Sequence, residues 1–107
     1  MDAPKAGEDI FPPGFPNADT PCSYLLVVGA NRLVELELIT LVAENNHDFL
    51  EINEGPVGTN LLANLTGSIL SPTKFTTVKS NVMRVNWKTN ETGDGRGFRI
   101  RYNEVNL

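Results

Sequence analysis

The chain has 107 residues, 40% of them hydrophobic and 21% charged, with a formal net charge of −4. That length suits a single core that buries roughly 60–70% of the surface the unfolded chain exposes, and the composition is too apolar for a disordered segment. The acidic balance and scattered Lys and Arg exclude a nucleic-acid binder, which needs clustered cations. No apolar run approaches the roughly 20 residues that cross a bilayer, so no membrane insertion is expected. Residues 1–9 lack the apolar stretch of a signal peptide, which leaves a cytosolic protein or a piece of a longer secreted chain.

In chain order, residues 1–21 carry all but two of the seven prolines and read as an extended lead-in. Turns at the prolines would lay Ile10, Phe11 and Phe15 against the core. Cys22 is the only cysteine. It reads as a small buried hydrophobe, a dimer-forming thiol or one half of a bridge to a partner outside the chain. Ser23 to Val28 is apolar at both parities, as in a strand covered on both sides. Gly29-Ala30-Asn31 is a turn. From Leu33 to Ile39 the parity is clean: Val34, Leu36 and Leu38 face one way, Glu35 and Glu37 the other. Thr40 to Ala43 continues extended.

Glu44-Asn45-Asn46-His47-Asp48 is a polar loop, followed by a short strand from Phe49 to Ile52. Leu61 and Leu62 fall in an irregular segment, and Phe75 to Val78 is a further strand. Val82 to Lys88 alternates, with Met83, Val85 and Trp87 inward. Gly93 to Gly97 suits a hairpin turn, and Phe98, Ile100 and Tyr102 close the pattern with Arg99 and Arg101 outward. Seven or so short strands in a chain of this size predict an all-β sandwich of two packed antiparallel sheets. Glu35, Glu37 and Glu51 are expected to pair across strands with Arg84, Arg99 and Arg101, each pair contributing about 0.2–1 kcal/mol.

The order of these pieces resembles the CUB domain, a jelly-roll-like β-sandwich of extracellular proteins. Ile10-Phe11-Pro12-Pro13-Gly14-Phe15-Pro16-Asn17 is similar to the family's opening I-x-S-P-x-Y-P-x. Cys22-Ser23-Tyr24-Leu25-Leu26-Val27 resembles C-x-W-x-I, and Asp48-Phe49-Leu50-Glu51-Ile52 resembles D-Y-L-x-I, with Glu54-Gly55 one residue late for the usual D-G. Leu65-Thr66-Gly67 stands where L-C-G is expected. Asn81 to Asn90 is similar to N-x-L-x-V-x-F-x-S-D, and Gly97 to Tyr102 to G-F-x-A-x-Y. The resemblance runs from about Asp9 to Tyr102. It implies a lead-in over residues 1–8 and one CUB-like domain over 9–107. The family's usual two disulfides are missing: the mate of Cys22 would lie near or before the start of the chain, and the second pair falls on Asn45 and Thr66.

The resemblance also implies a function and a site. CUB domains are binding modules, so the chain is expected to be a secreted, non-catalytic module within a multidomain protein that recognises a protein ligand. Carbohydrate binding, as in spermadhesin-like or lectin-associated relatives, and a structural spacer between neighbouring domains are the alternatives. Many members bind Ca²⁺, and the family ligands fall on Glu44, Asp48 and Asn90. Calcium takes six to eight hard oxygens at about 2.3–2.6 Å; Asn90 supplies a neutral carbonyl where the family has a carboxylate. Asn64-Leu65-Thr66 and Asn90-Glu91-Thr92 are glycosylation sequons. A sugar platform would draw on Phe15, Tyr24 or Phe49.

The residues themselves offer little catalytic chemistry. His47 is the only histidine and lies in a polar loop, with no serine or cysteine nucleophile near it in sequence. One His and one Cys are too few for zinc. The Gly93–Gly97 run lacks the Lys-Ser/Thr of a phosphate loop.

Overall fold

The computed structural model describes residues 5–12, 21–55, 60–89 and 97–106. These form eight strands: β1 (Cys22–Val27), β2 (Arg32–Val42), β3 (Phe49–Glu54), β4 (Asn60–Leu65), β5 (Ser68–Ile69), β6 (Thr73–Thr76), β7 (Val82–Lys88) and β8 (Gly97–Asn106). All pairings between strands are antiparallel. One sheet has the order β1-β7-β3-β4. In the other, β2 is central, with β8 along one side and β6 and β5 sharing the other.

The alternation in the sequence dictates which side chains close the sandwich. Val34, Leu36 and Leu38 of β2, Met83, Val85 and Trp87 of β7, and Phe98 and Ile100 of β8 are all within 1% of full burial. The two sheets interlock through aromatic rings. Phe98 of β8 meets Trp87 of β7 with centroids 5.7 Å apart at 62°, and Tyr24 of β1 at 6.3 Å and 88°. These edge-on contacts suit the ring quadrupoles. A register shift in the β2–β8 ladder falls between Leu38 and Thr40. The extra residue, Ile39, resets the phase of the pleat, so that Leu41 is buried along with Leu38.

The open edge of β8 is covered by the N-terminal segment. Ile10 exchanges two backbone bonds with Ile100, at 2.8 and 3.1 Å, and the Gly7 amide donates to the Tyr102 carbonyl at 2.8 Å. Capping an edge in this way blocks pairing with another chain. Asp9 fastens the segment. Its Oδ2 accepts from Arg99 Nε and Nη2 at 2.8 and 2.5 Å, and its Oδ1 from Arg101 Nε and Nη2 at 3.0 and 2.7 Å. Two such forks, from Arg101 first and then Arg99, hold the Asp9 carboxyl below its ordinary value.

Several expectations need correction. β1 is an edge strand buried on one face only: Tyr24 and Leu26 are in the core, and Val27 is exposed. Leu61 and Leu62 lie in β4, an edge strand and not an irregular segment. Its alternation is hidden because β4 itself carries a bulge: Ile52 and Asn53 face Ala63 and Leu61, with Leu62 the extra residue, and Leu61 is exposed. β7 and β8 do not form the expected hairpin, since β7 pairs with β1 and β3 while β8 pairs with β2 in the other sheet; residues 93–96 themselves lie outside the described residues. Ile10 is buried as expected, but the Phe11 ring is 42% exposed. Phe11 is held instead by its carbonyl, which accepts from Tyr24 Oη at 2.8 Å. Phe15 lies outside the described residues. Arg99 and Arg101 bond to Asp9 rather than to Glu35 and Glu37, and Glu51 takes Lys88 Nζ at 3.0 Å. Glu35 lies 3.8 Å from Lys74.

Candidate functional site

Between β2 and β3 the chain makes one tight polar turn. The Glu44 carbonyl accepts the amides of His47 at 3.0 Å and Asp48 at 2.9 Å. Asn46, at its tip, takes a left-handed φ of 65°, as Asn31 of the β1–β2 turn does at 62°, a conformation that asparagine tolerates better than most residues. Asp48 is completely buried. Its Oδ2 accepts the Glu44 amide at 2.9 Å, which closes the turn on itself. The two acidic residues singled out in the sequence are therefore brought together on one short turn, Asp48 inside and Glu44 exposed at the surface. His47 Nε2 lies 3.9 Å from Glu44 Oε1.

Thr66, just beyond β4, clasps the turn from below. Its hydroxyl donates to the Asp48 carbonyl at 2.8 Å, lies 3.3 Å from the Glu44 carbonyl, and accepts the Asn46 amide at 3.0 Å. Ala43 and Gly67 add a backbone bond of 3.0 Å beside it. The Asn45 Oδ1 lies 3.5 Å from where a Cβ on Gly67 would stand. The segments carrying Asn45 and Thr66, where the family resemblance places a disulfide, are thus neighbours held by hydrogen bonds.

The donor chemistry of the turn fits calcium in kind: Glu44 and Asp48 offer hard carboxylate oxygens and no soft ligand. In number it falls short by itself. Among the described residues no group of three or more His, Cys, Asp and Glu side chains comes together as a metal cluster. Asn90, the third sequence-derived ligand, lies outside the described residues. No pocket opens among the described residues, and no helix is long and apolar enough to cross a membrane. Of the sugar-platform candidates, Tyr24 is 4% exposed and packs in the core. Burial, and then the adjacent Cys22, push its hydroxyl up to about 12. Cys22 is free and half-buried, with its thiol raised by burial. Tyr24 acts in the opposite direction.

Sequence reasoning missed two polar groupings. Glu54, 4% exposed, receives the amides of Val78 at 2.9 Å, Lys79 at 2.7 Å and Ser80 at 2.7 Å. Burial opposes its charge, but the three amides outweigh burial and hold the carboxyl below its ordinary value. The second grouping runs across the outer face of the β1-β7-β3-β4 sheet. Arg84 donates to Ser23 Oγ, and Ser23 to Asn86 Oδ1, at 3.1 and 2.7 Å. Asn86, Lys88 and Asn53 all donate to Glu51, at 3.0, 3.0 and 3.1 Å, and lower its carboxyl in that order. The signal for this network was present in the sequence as outward-facing polar positions of β3 and β7.

Comparison with known proteins agrees with this architecture. The family model for the CUB domain matches residues 4–102. The CUB1-EGF-CUB2 region of human MASP-1/3 superposes with a TM-score of 0.74 at 17% identity, over 94% of this chain and 42% of that one. The full extracellular region of zebrafish Gpr126/Adgrg6 gives 0.82 at 18% identity, over 100% and 15% respectively. The chain thus spans less than half the length of these multidomain relatives. Against the MASP-1 CUB2 domain bound to Ca²⁺ the TM-score is 0.70 at 21% identity, over 88% of each. With nearly its whole length matched by the family model, and with its strands stacked as the resemblance required, the chain belongs to the CUB domain family.

Proposed function

We propose that this chain is an extracellular, non-catalytic recognition module of a larger polypeptide, and that it contacts a protein partner through the turn carrying Glu44 and Asp48. In this reading calcium binds there, held by Glu44, Asp48 and Asn90, with backbone and water oxygens completing the shell. A basic side chain of the partner is the matching group for the exposed acidic end. CUB domains generally serve as binding modules, and a related domain, MASP-1 CUB2, is known bound to Ca²⁺.

The observation that carries the proposal is the closure of the turn by Asp48, whose buried carboxylate meets the Glu44 amide at 2.9 Å. That contact holds Glu44 and Asp48 on one closed turn before any ligand arrives, which lowers the ordering cost of binding. Calcium then supplies charge that neutralises the pair and fixes the exposed Glu44 side chain.

Calorimetric titration of Ca²⁺ into the whole chain tests it. Saturable binding is expected, weakened at least about tenfold by Glu44→Gln, a loss of roughly 1.4 kcal/mol. Absence of heat and of thermal stabilisation at millimolar Ca²⁺ contradicts the metal part of the reading. Mass action at a hundredfold excess over Kd should otherwise stabilise by about 2.7 kcal/mol.

A further inference from the structure

Thr66 has two chemical duties that cannot be performed together. In the folded domain its hydroxyl is engaged with Asp48, Glu44 and Asn46 in the clasp of the 44–48 turn. The same hydroxyl is the third position of the sequon Asn64-Leu65-Thr66, which a glycosyl transferase must engage to recognise the asparagine. The backbone of the sequon is held extended by pairing along one side of β4. Asn64 lies opposite Glu51 and Leu65 opposite Leu50 in the β3–β4 ladder. The Asn64 side chain remains accessible: it shares the outward parity of Glu51 on an edge strand and is exposed.

From this geometry we infer that Asn64 is an N-glycosylation site that is modified only before β4 and Thr66 dock. Afterwards the glycan is carried on the solvent face of the folded sheet. The acceptor side chain points where a bulky chain is tolerated, so the modified protein can fold. The folded protein holds the Thr66 hydroxyl in the clasp and the sequon backbone extended along β3, so it is a poor acceptor. The required co-substrate is an oligosaccharide linked to a lipid pyrophosphate. A bond forms between Asn64 Nδ2 and the anomeric carbon of the first sugar, and the bond from that carbon to the pyrophosphate oxygen breaks. The lipid pyrophosphate leaves with the electron pair, the amide nitrogen gives up one proton, and nothing is oxidised or reduced.

The inference rests on the extracellular reading only for its cellular arm. In that arm the whole chain is routed through the secretory pathway of a eukaryotic host, and occupancy of Asn64 is read by glycopeptide mass spectrometry. Wild type and Thr66→Ser should carry the glycan, while Asn64→Gln and Thr66→Val should not. In the second arm unglycosylated whole chain from a bacterial host and a peptide spanning residues 60–68 are offered to the transferase with the lipid-linked donor. The folded chain should react at least about tenfold more slowly, because the reaction waits on local opening of β4. In the same bacterial material Thr66→Val should lower Tm, and Asn64→Gln should leave it unchanged. An unmodified Asn64 in secreted wild type, or equal rates for folded chain and peptide, would overturn the inference. So would an Asn64→Gln variant as destabilised as Thr66→Val. None of these outcomes depends on calcium, so the site can fail while the metal proposal stands, or the reverse.

Discussion

Two turns of this domain are built from the same parts and put them to different ends. In each, a buried carboxylate accepts backbone N–H groups, three in one turn and one in the other, while a threonine hydroxyl ties the turn in place. At residues 77–80 the acid comes from a distant strand: Glu54, at the end of β3, takes the amides of Val78, Lys79 and Ser80. Thr77 donates to the Ser80 carbonyl at 2.7 Å and accepts the Val34 amide at 3.0 Å. This turn thereby joins one sheet to the other. At residues 44–48 the acid belongs to the turn itself, and its neighbour Glu44 is left at the surface. The first arrangement fixes the sandwich, and the second presents charge. Burial of an acid does not by itself mark a site: Glu54 is as structural as any core residue, and the turn proposed as a site differs in also carrying an exposed acid, Glu44.

The largest effect expected from breaking this contrast is at Glu54. Glu54→Ala removes a charged acceptor from three amides at once and should cost about 3 kcal/mol, measured by urea unfolding. Its ionisation also sets a pH dependence. The folded-state value lies below the ordinary 4.5, so its contribution is complete above that value and is lost as pH falls through the depressed one. Glu51 and Asp9 are lowered as well and act in the same sense. Stability should therefore decline between about pH 5 and 2, with a shallower slope in Glu54→Gln. An unchanged slope would assign the acid sensitivity to the other carboxyls.

A smaller effect is expected at Asp9. Its forks to Arg99 and Arg101 fasten residues 7–10 over the β8 edge, but all three side chains are partly exposed, and exposed ion pairs contribute little. Asp9→Asn should leave global unfolding nearly unchanged and speed amide exchange at Gly7 and Ile10, which bond to β8. The effect should shrink as salt is raised. Equal exchange in the variant and wild type would show that Ile10 burial alone holds the segment.

The fold was legible wherever one face of a strand is buried and the other wet. β2, β7 and β8 announce themselves through Val34-Leu36-Leu38, Met83-Val85-Trp87 and Phe98-Ile100-Tyr102, because the pleat has period two. β4 was not legible, since a register shift and an edge position leave Leu61 at the surface. The glycine run was read as a hairpin because local turn chemistry carries no information about which sheet the next strand joins. Glu54 was hidden for another reason. An acid at a strand end reads as solvated until its partners, some 24–26 residues away, are known. The candidate site was half legible: family motifs pointed to Glu44 and Asp48, but the closure by Asp48 and the clasp by Thr66 arise only from the folded chain.

The contrast between the turns is tested most directly by amide hydrogen exchange with and without millimolar Ca²⁺. The account predicts that calcium slows exchange at Glu44, Asn46 and Asp48 and leaves Val78, Lys79 and Ser80 as they were. No change at the 44–48 turn, or equal protection at both turns, would contradict it.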